Sequence, residues 1–176
     1  MTQIADSRIL RITKLLVFLI MGFVAVGGVV LALVSVGLPL FWTEALAEIA
    51  KEKPGIETNN LLPSLLSIFA LGILVLGLIW TMMRKLLAII DSVEDRNPFI
   101  SANAVRLRTI GWLMVGLQIV GLPLAVSAGN VADIFGENNV DMDFSLNGIL
   151  AILLVFILAG IFERGAEMRE ELEGTV

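Results

Sequence analysis

The chain has 176 residues, 57% of them hydrophobic, and a mean hydropathy of +0.93, which excludes an ordinary soluble domain. It has no cysteine and no histidine. That excludes disulfides, thiolate zinc sites, haem ligation through either residue and every nucleophile dyad relying on a histidine base, so no metal, cofactor or catalytic residue is expected. The net charge of −5 is segregated along the chain, which argues against direct nucleic-acid binding through a basic face.

In chain order, a short basic start with Arg8, Arg11 and Lys14 precedes an uncharged run from Leu15 to Phe41. A hydrocarbon core of about 30 Å needs about 20 helical residues, so this run predicts a first membrane span. The small-residue pattern Ala45-Leu46-Ala47 imitates a signal-peptide cleavage site, but the run is too long for a signal h-region. Residues 43–53, TEALAEIAKEK, predict a short amphipathic helix capped by Thr43, with Leu46, Ile49 and Ala50 on one face and Pro54-Gly55 ending it at the outer interface.

The second span covers about 61–83, and its helical period continues past Arg84 and Lys85 through Leu86, Leu87, Ile90 and Val93. Asn97-Pro98 breaks the helix, Ser101 is the expected N-cap of the next, and the third span covers about 109–128. An acidic outer loop follows. Within it Asn139, Asp141 and Asp143 alternate like calcium ligands, but Phe144 stands where such a loop needs glycine. The fourth span covers about 145–162 and runs on into the charged tail 163–176.

The segments before the first span, between the second and third (84–108) and after the fourth hold ten of the twelve lysines and arginines. Basic residues stay inside, so both termini are expected in the cytoplasm. The expected fold is all-α: a four-helix transmembrane bundle forming a single integral-membrane domain over 1–176. Cytoplasmic helical extensions follow span two, precede span three and follow span four.

No ionisable side chain lies within the expected spans, and proton relays, ion pathways and cationic-drug pumps need such groups. Gln118, near the middle of the third span, is the candidate intramembrane polar contact: a ligand contact or, the blander reading, a hydrogen bond to a neighbouring helix. Gly28 with Ala32, and Gly121, Ala125 and Gly129, recur at intervals of four, which permits close helix packing within one chain or between two. In the tail, Glu163, Glu167 and Glu171 are expected to line one helical face. They could face the chain's own Arg84, Lys85, Arg106 and Arg108 or a basic soluble partner, and these seven residues are the candidate partner-binding set. The basic loop residues could equally sit on membrane lipid headgroups.

The loop NPFISANAVRLRTIGW and the terminal IFERGAEMREELEGTV, at four-span spacing over nearly the whole chain, resemble the signature segments of a family of uncharacterised bacterial inner-membrane proteins, domain of unknown function 2975. The family's tail is more arginine-rich and ends in Leu-Thr-Val, where this chain has Glu163-Arg164 and Gly174-Thr175-Val176. The resemblance implies no activity or catalytic residues. It implies a gene neighbour encoding a small helix-turn-helix regulator, and hence a soluble DNA-binding regulator as partner. The expected function is a multi-pass inner-membrane protein, not an enzyme, that anchors or regulates such a partner through residues 84–108 and the acidic tail. The alternative is a small transporter or an accessory subunit of one, and a homo-oligomer is compatible with either.

Overall fold

A computed structural model of the chain describes residues 2–52, 58–136 and 146–173. Five helices account for nearly all of them: α1 (Thr2–Leu40), α2 (Trp42–Glu52), α3 (Leu61–Glu94), α4 (Ser101–Phe135) and α5 (Leu146–Glu173). The all-α expectation holds, with no strand among the described residues. Helices α1, α3, α4 and α5 are each long and apolar enough to cross a membrane. The expected helix stop at Pro54-Gly55, the Asn139-Asp141-Asp143 alternation and the terminal Gly174-Thr175-Val176 lie outside the described residues.

Each spanning helix outruns its apolar stretch. The basic start is helical as well, so Arg8, Arg11 and Lys14 ride on the first turns of α1. Helix α3 holds 34 residues, about 51 Å at 1.5 Å per residue, against the ~30 Å of a hydrocarbon core. The excess is amphipathic. It runs from Arg84 to Glu94, and the start of α4 and the end of α5 likewise mix charged residues with apolar ones.

By their contacts the residues form two compact units. Unit 1 comprises Met1–Val24, Leu78–Gly116 and Ser145–Val176, and holds Val17, Ile90, Ala104, Leu107, Ile110, Ala159 and Ala166. These are seven of the eight buried hydrophobic residues among those described. Small residues let its helices close up. A Cβ placed on Gly111 would stand 2.9 Å from Cζ of Phe156, so the ring lies directly on the α4 backbone. Trp112 then meets Phe156 edge-on, with ring centroids 5.6 Å apart.

Unit 2 comprises Ala25–Gly77 and Leu117–Phe144. Here α1 and α3 pack antiparallel through glycines: Leu31 Cδ1 would be 3.1 Å from a Cβ on Gly72, and Leu76 Cδ1 3.6 Å from one on Gly27. Leu61 is buried at the start of α3. Helix α2 corrects one expectation, since it begins at Trp42 and Thr43 is not its cap. The Thr43 hydroxyl donates to Glu44 Oε2 at 3.1 Å, while the Ala45 N–H finds the Phe41 carbonyl at 3.0 Å. Helical bonding thus carries across the α1–α2 junction, leaving no orphan amide for a Thr43 cap to satisfy. The ring of Pro39, at the end of α1, weakens the last turn there.

Candidate functional site

The polar end of unit 1 is where the charged and hydrogen-bonding side chains converge. It starts with how α3 stops. The N–H of Asn97 bonds the Ser92 carbonyl at 2.9 Å and that of Arg96 bonds the Val93 carbonyl at 3.1 Å, the paired 6→1 and 5→2 bonds of a Schellman turn. Arg96 takes the left-handed position with φ of 57°, where glycine is the usual occupant. Pro98 follows, unable to continue a helix, and the chain turns into α4.

Asn103, on the first turn of α4, is fully buried and ties this turn together. Its Nδ2 donates to Ser92 Oγ at 2.6 Å and to the Pro98 carbonyl at 2.7 Å. Its Oδ1 accepts from Arg106 Nη1 at 2.7 Å, and the same nitrogen reaches the Ala88 carbonyl at 2.9 Å. The Ser92 hydroxyl donates in turn to the Ile89 carbonyl. A buried amide is tolerable only when its hydrogen-bonding capacity is met, and among the described residues no buried side-chain nitrogen or oxygen lacks a partner.

Helix α5 closes over this corner. The Phe99 ring packs on Phe162 at a centroid distance of 5.2 Å and lies against Gly165, where a Cβ would come within 2.7 Å of its Cδ1. Arg169 donates to Asn97 Oδ1. One residue on from Phe162 and Arg169 along α5, Arg108 pairs with Glu163 at 2.9 Å and Ser101 donates to Glu170 Oε1 at 3.0 Å. Helix α1 joins through Lys14, whose ammonium sits 2.7 Å from Asp91 and 2.9 Å from Glu94. Lys14 precedes the first apolar run, and hydrogen bonds to Asp91 and then Glu94 raise its pKa above the ordinary lysine value.

Of the seven expected partner-binding residues, the structure joins Arg108 to Glu163 and turns Arg106 inward onto Asn103. Arg84 is exposed and Lys85 half-buried, and among the described residues neither makes an ion pair. Glu167 and Glu171 are exposed. Glu163 and Glu170, seven residues apart on α5, meet Arg108 and Ser101, also seven apart on α4. The expected N-cap role of Ser101 is corrected too, since its hydroxyl turns to Glu170 and the Asn103 N–H takes the Ile100 carbonyl at 2.9 Å. Gln118 is half-buried and, among the described residues, makes no hydrogen bond.

Sequence reasoning missed Lys14, Ser92, Asn103, Arg169 and Glu170. The available signal was the stretch NPFISAN itself, since Asn97, Pro98, Phe99, Ser101 and Asn103 all take part in the corner. Among the described residues no three carboxylates gather into a metal site. The arrangement is a polar head cross-braced by hydrogen bonds and two sets of ion pairs, with Arg84, Glu167 and Glu171 exposed on it, which suits it to binding. A family model described as a protein of unknown function (DUF2975) matches residues 47–176, and so takes in both halves of the corner. No curated protein and no solved structure matches the chain.

Proposed function

We propose, for a chain that belongs to the DUF2975 family, that it is a bacterial inner-membrane anchor whose polar head faces the cytoplasm and docks a soluble partner. The partner class we infer is a DNA-binding regulator of the helix-turn-helix type, held through a basic amphipathic segment. On this reading the head binds and catalyses nothing.

One observation carries the proposal. Lys14, Asn103, Arg108 and Arg169 are consumed in fixing the head, while the outer face of the α5 extension keeps Glu167 exposed beside Met168 and Leu172, which are 61% and 71% exposed. Large apolar side chains exposed beyond the membrane-length run have no lipid to cover them, and acids beside them favour a basic partner. Such a surface would compete with DNA phosphates for a regulator's basic helix, and the competition would weaken with salt.

Co-purification of the full chain with small helix-turn-helix regulators of the same cell tests this. The variant Glu167→Gln, Glu171→Gln, Met168→Ala should lose the partner, and wild-type retention should fall as salt rises. Glu163 is left intact because it pairs with Arg108. Undiminished retention by the triple variant overturns the assignment of this face.

A further inference from the structure

The first turns of α1 carry an apolar strip that the membrane does not reach. Lys14 lies against Asp91 and Glu94, seven and ten residues past Arg84, where the apolar run of α3 ends. At 1.5 Å per residue that is about 10–15 Å beyond the hydrocarbon edge, and a headgroup layer adds only about 5–8 Å. Arg84 and the Arg108–Glu163 pair oppose any farther rise of hydrocarbon along these helices. Ile12 and Ile9 stand farther out than Lys14, and both are more than half exposed, as are Leu15 and Leu16 beside them. At about 100° per residue these four fall within an arc of about 120°. Exposed Arg8 lies inside that arc and exposed Arg11 near its edge.

A second strip lies at the same depth. Glu170 bonds Ser101, two residues before Asn103, Asn103 bonds Ser92, and Lys14 reaches Asp91 and Glu94 on that same turn of α3. Glu170 and Lys14 are therefore level. Around Glu170, the residues Glu167, Met168, Glu171 and Leu172 are exposed and share an arc of about 140°. Arg164 is on that side too, but a turn nearer the membrane, among the headgroups. One strip is thus apolar and basic, the other apolar and acidic.

We propose that the α1 strip of one copy docks on the α5 strip of a second copy inserted in the same direction. The two helices then run antiparallel, with Ile12 between Met168 and Leu172 in depth and Arg8 and Arg11 within about a turn of Glu171. Charge selects this pairing. Setting α1 on α1 opposes Arg8 and Arg11 to themselves, and setting α5 on α5 does the same to Glu167 and Glu171. Each copy carries both strips, so rotation about the membrane normal repeats the contact and closes a ring of two or more copies. The contact does not rest on regulator docking, although a regulator on the α5 strip would compete with the neighbouring copy.

The absence of cysteine makes the contact traceable. Two differently tagged full-length preparations, one with Ile12→Cys and one with Met168→Cys, are co-reconstituted into vesicles at falling protein-to-lipid ratio and oxidised. The mixed disulfide should exceed either homodimer by more than chance pairing gives. Arg8→Glu with Arg11→Glu on the first preparation should cut it roughly three- to tenfold, as expected for one or two exposed ion pairs. Adding Glu167→Arg and Glu171→Arg to the second should restore it, which a misfolded variant would not allow. No regulator is present, so failure here leaves the docking reading standing. Homodimers through Ile12→Cys in excess would give the strip to a second α1, and shielding of Ile12→Cys from aqueous maleimide at every dilution would give it to lipid. Either result, a mixed disulfide at chance level, or charge reversal without effect or without rescue overturns the proposal.

Discussion

Phe99 occupies the space that a side chain on Gly165 would fill, with its Cδ1 2.7 Å from where the Cβ would be. Gly165→Ala must therefore displace a ring that also packs on Phe162. A loss of about 1–3 kcal/mol is expected, the usual cost of overpacking. Thermal unfolding in detergent would measure it, and the loss should shrink in a Phe99→Ala background, because both changes act on one contact.

Asn103→Leu keeps the approximate volume but leaves the Ser92 hydroxyl, the Pro98 carbonyl and Arg106 short of a partner. Buried groups so stranded cost about 1–3 kcal/mol each. The variant should lose at least ~2 kcal/mol, and faster hydrogen exchange should be confined to residues 88–106. A thermal midpoint unchanged from wild type would contradict the role given to this amide.

Arg96→Gly should stabilise the chain. A non-glycine residue in the left-handed region costs about 1–2 kcal/mol, and Arg96 is exposed at φ of 57°. After allowance for the greater freedom of glycine in the unfolded chain, a gain of about 0.5–1 kcal/mol is expected in chemical denaturation.

Arg108 and Glu163 keep half their surface in solvent, with side-chain exposures of 50% and 46%. Their coupling in a double-mutant cycle should be about 0.2–1 kcal/mol, and smaller in high salt. The swap Arg108→Glu with Glu163→Arg should recover most of what either change alone loses.

The proposed orientation has its own test, since Asn59 and Asp95 are both exposed and lie beyond opposite ends of the apolar run of α3. In intact cells a membrane-impermeant maleimide should label Asn59→Cys and spare Asp95→Cys. Labelling of Asp95→Cys from outside would invert the topology and remove the cytoplasmic docking site with it.

The four long helices could be read from the sequence because a membrane span is a local property: apolar run length decides it, whatever the neighbours do. The bend at Asn97-Pro98 was readable for the same reason. What escaped was set by distant partners. Asn103 looks like any polar residue early in a helix until α3 and the Pro98 carbonyl close around it, and Ser101 looks like a cap until Glu170 competes for its hydroxyl. The tail glutamates show the limit well. Spacings of four and seven both keep residues on one helical face, and only the placement of Ser101 and Arg108 shows that Glu170 and Glu163 meet them. Lys14 could not be matched to Asp91 and Glu94 without the antiparallel packing of α1 on α3.

The ties that fasten α5 to the corner join residues 55 to 72 positions apart. During synthesis α3 and α4 leave the ribosome well before the helix that covers them. Until α5 arrives, Phe99 has neither the ring nor the glycine it rests against, and Asn97 lacks its arginine. A nascent or truncated chain therefore bares the face of an aromatic ring that the finished chain leaves only 44% exposed, together with an unpaired asparagine at the water's edge.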